Sequence, residues 1–181
     1  MSETTSPARL ADEAKTAYQR GDYLAAAQSF EAARQGYLVA GDELNAAEMG
    51  NNLSVACLQA GEAQKALDAV EGTAQTFAAA GDLRRQGMAV GNQGSALEAL
   101  NRPEEAAEAY RQSAELLQQA GEDKLRANVM QSLSALQFRT GKQLQALATM
   151  QSGLEGVQKP SPRQKLLKRL LNIPFSLLNK K

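Results

Sequence analysis

The 181-residue chain contains no His, no Trp and a single Cys, and aromatic residues make up only 4% of it. Without His there is no imidazole to act as a general base, a metal ligand or a switch near neutral pH. One thiol, Cys57, can form neither an intramolecular disulfide nor a zinc site built from several cysteines, and we expect it to be buried and inert. These absences argue against most hydrolases and metalloenzymes.

Several sequence signals of function are also missing. No run approaches 18 apolar residues, and residues 1–7 lack the basic and apolar regions of a signal peptide. There is no phosphate-binding loop, dinucleotide glycine cluster or serine nucleophile elbow. We therefore expect a cytoplasmic protein that is not an enzyme, with no catalytic residues, no metal, no cofactor and no nucleic-acid partner.

Alanine supplies much of the apolar content, with 33 Ala within a hydrophobic fraction of 43%. Ala is the strongest helix former because it loses no side-chain entropy on entering a helix. β-branched residues are sparse, and no stretch alternates apolar and polar residues for the length of a strand. The predicted fold class is all-α.

Turn residues recur with a period of 40 residues. Gly or Asn can end a helix in the left-handed conformation, and an Asp after it can cap the next helix. One series is Ala40-Gly41-Asp42, Ala80-Gly81-Asp82 and Ala120-Gly121-Glu122, and the other, half a period away, is Gly21, Gly61, Asn101 and Gly141. The expected helices, about eight and antiparallel because their turns are short, cover 7–20, 22–40, 42–60, 62–80, 82–100, 102–120, 122–140 and 142–158.

In the second helix of each pair, small and large apolar residues fall on one stripe. The small residue lets two helix axes approach, and the large residue fills the groove between neighbouring helices. The stripe consists of Ala26, Phe30, Ala33 and Tyr37; Ala66, Val70 and Phe77; Ala106, Tyr110 and Leu117; and Ala146, Met150 and Val157.

Two segments, 21–30 and 101–110, share a spacing in which Gly or Asn is followed five residues later by Ala and four later by an aromatic residue. This spacing resembles the turn and second helix of the tetratricopeptide repeat (TPR), and the resemblance covers roughly residues 7–158. Val70 and Met150 replace the aromatic residue in the second and fourth repeats. The common repeat has 34 residues, so the longer period is similar to the branch found in kinesin light chains, spindle-orientation scaffolds and bacterial regulators.

The resemblance implies a right-handed α-solenoid of four antiparallel helix pairs, at about 7–40, 42–80, 82–120 and 122–158, after a flexible N-terminus at 1–6. In that branch the first helix often carries Asn-Leu-Gly, to which Asn52-Leu53-Ser54 and Asn92-Gln93-Gly94 are similar. Stacked pairs rotate slightly from one to the next, so the first helices line a concave groove.

The 40-residue period assigns side chains to this groove. Asn is informative there because its amide both donates and accepts, as an extended peptide backbone requires. Alternatively, Asn52 and Asn92 cap or bridge neighbouring helices. Chaperone-binding TPR domains grip a C-terminal carboxylate with a cluster of Lys, Arg and Asn, but the corresponding places here, Ala11, Lys15, Met88 and Asn92, offer at best one cation, so that mode is not expected. The predicted peptide-binding residues are Lys15, Tyr18, Glu48, Asn52, Met88, Asn92, Glu98, Asn128, Ser132, Phe138 and Arg139, with Asn51, Val55, Leu58, Ser95 and Gln131 on the same face.

Acidic and basic residues are unevenly distributed along the chain. Up to residue 158 there are 13 Lys+Arg against 20 Asp+Glu, whereas residues 159–181 contain 7 basic residues and no acidic one. In this segment Leu166, Leu167, Leu170 and Leu171 form one helix face, which Pro174 ends. We expect residues 159–181 to be a basic amphipathic capping helix and tail that covers the apolar end of the last repeat.

Two functions remain. The first is a non-enzymatic interaction scaffold or adaptor that holds a partner peptide or helix in the groove. The second is a peripheral membrane or assembly factor whose basic, Leu-rich C-terminus inserts into an anionic surface. We favour the scaffold because the Leu face is needed to close the array and leaves little apolar surface for lipid.

Overall fold

The computed structural model describes residues 6–155 and, beyond them, only residues 162, 165 and 166. Residues 6–155 form helices joined by short turns and contain no strand, so the all-α prediction is confirmed. The helices are α1 (Pro7–Gln19), α2 (Tyr23–Val39), α3 (Glu43–Gln59), α4 (Ala63–Val70), α5 (Thr73–Ala79), α6 (Leu83–Ala99), α7 (Pro103–Gln119), α8 (Asp123–Arg139) and α9 (Gln143–Glu155).

The turns of both predicted series contain a left-handed residue, with φ from 57° at Asn101 to 82° at Gly21. Asp22, Asp42 and Asp82 each accept a hydrogen bond from the backbone N–H three residues further on. Hydrogen bonds from the Asn45 side chain and backbone lower the pKa of the Asp42 carboxyl. Both turn series and the aspartate caps are therefore confirmed, and Ser6, which the sequence assigns to a flexible N-terminus, caps α1.

Helices that follow each other in the chain pack side by side. We call α1, α3, α6 and α8 the first helices, and α2, α4 with α5, α7 and α9 the second helices. Each of α2, the α4–α5 pair and α7 contacts the first helix before it and the one after it, whereas α9 packs on α8. First helices also contact each other directly, α3 against α6 and α6 against α8.

The predicted stripe of the second helices forms much of the core. Ala26, Ala66 and Ala106 are 0% exposed, and Phe77 is fully buried as well. Tyr37 and Met150 are half-buried, and Val157 lies outside the described residues. Alanines make up more than half of the buried hydrophobic residues in the described part of the chain, so neighbouring helix axes can approach closely.

One predicted helix is broken. The sequence predicts a single helix over 62–80, and this prediction is wrong, because α4 ends at Val70 and α5 begins at Thr73. Gly72 between them has a φ of 76°, which a right-handed helix does not allow. The hydroxyl of Thr73 donates a hydrogen bond to the carbonyl of Val70 at 2.8 Å and closes the turn.

Substitution of Gly72 tests the helix break, because a broken helix and a continuous helix predict opposite changes in the free energy of unfolding. The left-handed conformation costs a residue with a Cβ about 1–2 kcal/mol, so Gly72→Ala should lower the free energy of unfolding by about that amount. No atom lies within 4 Å of the added Cβ, so the cost comes from the backbone alone. Gly72→Asn should cost less, because Asn tolerates this conformation. Urea unfolding measures all three proteins. A continuous helix would give the opposite sign, a gain of about 1 kcal/mol for Ala.

The predicted capping segment lies almost wholly outside the described residues. Of its residues, Pro162, Lys165 and Leu166 are described as helical and exposed, with Leu166 60% exposed. The cap therefore stays a prediction. Within the described part of the chain, no helix has both the length and the apolar character needed to cross a bilayer.

Candidate functional site

The predicted peptide-binding residues all lie on first helices, and none of them is buried. Lys15 and Tyr18 lie on α1 and Glu48 and Asn52 on α3. The remaining ones lie on α6 (Met88, Asn92 and Glu98) and on α8 (Asn128, Ser132, Phe138 and Arg139). We call the surface that carries them the first-helix face.

A depression of about 380 Å³ opens on this face between α1 and α3. It brings together four of the predicted residues over the buried ring of Phe30, which belongs to α2. The Tyr18 ring in its wall packs edge-on against Tyr23, with ring centres 5.3 Å apart. The α1/α3 depression is lined by Lys15, Tyr18, Gln19, Phe30, Glu48, Asn52 and Val55.

Polar side chains bridge the next junction, between α3 and α6. The Asn92 amide nitrogen donates a hydrogen bond to the side-chain oxygen of Asn51 at 2.7 Å. An Arg85 guanidinium nitrogen lies 3.4 Å from a carboxylate oxygen of Glu48. Asn92 therefore does what the alternative interpretation requires, since it bridges two neighbouring first helices.

Ion pairs bridge the junction between α6 and α8. Arg84 lies 2.8 Å from a carboxylate oxygen of Glu122, and Arg139 pairs with Glu98. Glu98 also accepts a hydrogen bond from the Tyr110 hydroxyl at 2.8 Å. Two of the predicted binding residues, Glu98 and Arg139, thus satisfy each other within the array.

The junction between α1 and α3 differs, because no hydrogen bond or ion pair between side chains of the described residues joins these two helices. Lys15 pairs with Asp12 on its own helix at 3.4 Å, and both groups are exposed. Asn52 makes no hydrogen bond through its side chain to another described residue. The depression therefore presents the Asn52 amide without a partner among the described residues. The Lys15 amine and the Glu48 carboxylate beside it pair with Asp12 and Arg85, outside the α1/α3 junction.

The other predicted residues lie outside this depression. Met88 and Ser132 are half-buried and Asn128 is exposed, while Phe138 is 63% exposed near the end of α8. The structure does not gather these four around a cavity with the residues of α1 and α3.

Comparison of the chain with protein-family models gave no match, and comparison with curated proteins gave none either. The resemblance to TPR proteins rests on the residues quoted above.

Three helical glycines form a contact that the sequence interpretation missed. Gly87, Gly91 and Gly94 lie on the side of α6 that faces α7, at spacings of four and three residues. A Cβ on Gly94 would lie 2.8 Å from the Tyr110 ring. Ser113 of α7 donates a hydrogen bond to the Gly87 carbonyl at 2.6 Å. The spacing, which places all three on one helix face, is the signal that could have revealed this contact.

Two potentially reactive groups, the Cys57 thiol and the Tyr110 hydroxyl, are buried. Cys57 is 2% exposed, as predicted, and burial raises the pKa of its thiol. Burial also raises the pKa of the Tyr110 hydroxyl, so this group stays protonated. The described residues contain no cluster of three or more His, Cys, Asp or Glu side chains that could hold a metal ion.

Proposed function

We propose that the chain is a cytoplasmic, non-enzymatic scaffold or adaptor: a right-handed α-solenoid of the TPR type that holds an extended segment of a partner protein. The α1/α3 depression carries this proposal. It is the place on the first-helix face where the predicted binding residues converge without being bonded across the junction.

The chemistry of the depression suits a peptide main chain. The Asn52 amide can donate to a peptide carbonyl and accept from a peptide N–H, as a strand of a sheet would. Lys15 adds a positively charged hydrogen-bond donor, and Glu48 adds a negatively charged acceptor. Tyr18 and Val55 provide apolar walls. A cavity of about 380 Å³ falls in the usual size range of ligand sites.

Asn52 and Asn92 provide a matched pair of variants. Asn52→Ala should weaken peptide binding by about 1–3 kcal/mol, because partner groups would be buried without their hydrogen bonds, and should leave folding unchanged. Asn92→Ala should instead lower the free energy of unfolding by about 1–3 kcal/mol, because the 6%-exposed Asn51 would lose its partner.

Peptides selected from a displayed library for binding to the full-length chain provide the ligand for this test. Calorimetric titration of each variant gives affinity, and urea unfolding gives stability. The proposal fails if the selected peptides bind Asn52→Ala as tightly as the parent. It also fails if the double variant Lys15→Ala with Asn52→Ala keeps the parent's affinity for these peptides.

A further inference from the structure

A second cavity lies on the other side of the array, among the second helices. It measures about 540 Å³ and separates α4 and α5 from α7 over the surface of α6. Val70, Glu71 and Gly72 line it, so it borders the helix break. Its floor is formed by Ala89, Val90 and Leu97 of α6, which are apolar and buried. We call it the α5/α7 cleft.

The rim of this cleft is negatively charged. Asp68 accepts a hydrogen bond from Gln64 at 2.8 Å, and Glu71 makes no polar contact; neither carboxylate pairs with a cation among the described residues. On the opposite rim Arg102 and Glu105 neutralise each other, with nitrogen and oxygen 2.7 Å apart. An occupant that is basic on one side and apolar on the other would complement both rim and floor.

We propose that the α5/α7 cleft binds the chain's own basic segment, residues 159–181. This segment has 7 basic residues and no acidic one, whereas the rest of the chain has 13 basic and 20 acidic residues. It also supplies apolar side chains that can cover the floor, at Leu167, Leu170 and Leu171, whereas Leu166 is 60% exposed. The inference concerns the second helices and does not depend on the function proposed for the first-helix face.

Reach and charge both favour this location. An extended chain spans about 3.3–3.6 Å per residue, so the six residues between Glu155 and the helical Pro162 can cover roughly 20 Å, or about two helix spacings. The outer face of α9 is the competing location, since Leu144 there is 76% exposed. However, α9 contains one charged residue, Glu155, and offers the basic side chains few counter-charges.

Paramagnetic relaxation enhancement in the full-length chain tests the proposal. A nitroxide is attached at Ser176→Cys; the buried Cys57 stays unlabelled, and Cys57→Ala serves as a second background. With the nitroxide active, the amide signals of Gly72 and Gln112, both in the cleft, should weaken several-fold relative to the reduced label. The signals of Asn52 in the α1/α3 depression should not change.

Charge variants separate this site from general attraction. Asp68→Asn with Glu71→Gln should abolish the broadening at Gly72 and Gln112. The control, Glu104→Gln with Glu115→Gln, removes the same charge from exposed positions of α7 and should retain it. Salt at about 1 M, where the screening length is about 3 Å, should weaken the effect.

Four outcomes would overturn the proposal. Broadening confined to Leu144 would show that the segment caps the last repeat, and broadening confined to Asn52 would place it in the depression. Broadening seen only between a labelled molecule and a separate isotope-enriched one would identify a second copy as the acceptor. If no amide signal broadens and the chain binds vesicles that contain anionic lipid, the segment binds membranes, as in the alternative function, and not the cleft.

Discussion

Replacing Phe77 with Ala should lower the free energy of unfolding by about 3–5 kcal/mol, the usual cost of removing a buried aromatic side chain. Phe77 is fully buried in a cluster with Ala47, Val70 and Ala89, which joins α5 to α3 and α6. The Arg85 guanidinium also lies over the ring, 5.0 Å from its centre. Few large side chains fill this Ala-rich core, so no neighbour can expand into the space left behind.

Phe138→Ala provides the matched control. This ring is 63% exposed, so its removal should change stability by no more than about 0.5 kcal/mol. Urea denaturation of both variants measures the difference. Equal losses for the two substitutions would mean that the packing around the helix break is not as described.

Gly94→Leu should cost about 3 kcal/mol, because the added side chain must displace the Tyr110 ring. The first added carbon would already lie 2.8 Å from that ring. Moving the ring also breaks the hydrogen bond from the Tyr110 hydroxyl to Glu98. The close contact of α6 with α7 would be lost with it.

A control substitution on the same helix, Ala99→Leu, adds the same side chain at an exposed position of α6 and should alter stability by no more than about 0.5 kcal/mol. Thermal unfolding of both variants, followed by circular dichroism, checks the prediction. If Gly94→Leu melted at or above the temperature of the parent, α6 and α7 could not lie as close as the structure places them.

The sequence predicts the helices and turns well because each turn is specified by its own residues. Left-handed Gly or Asn and a capping Asp act within a few residues of one another, and their 40-residue period repeats the same local signal. The helix break is different, because Gly72 resembles any glycine inside a helix. The break packs against α3, where a Cβ on Gly50 would lie 2.8 Å from the carbonyl of Ala69, and the residues near Gly72 in the sequence do not reveal this contact between helices.

The candidate site shows a similar division. Helical periodicity places the predicted residues on the first helices, and the structure finds them there. Periodicity does not distinguish Asn52 from Asn92, because they occupy equivalent positions 40 residues apart. The difference arises from neighbours, because Asn92 faces Asn51 across the junction of α3 and α6, whereas Asn52 borders the gap beside α1.

The bridges between first helices also bear on how the array opens. In a repeat array, stability is the sum of the terms for each unit and for its interfaces. Among the described residues, side-chain bonds join α6 to both α3 and α8, whereas none joins α1 to α3. The amide protons of α1 should therefore exchange with solvent through local opening at a lower free energy than those of α6. Because α1 forms one wall of the α1/α3 depression, occupation of the depression would be coupled to the ordering of α1.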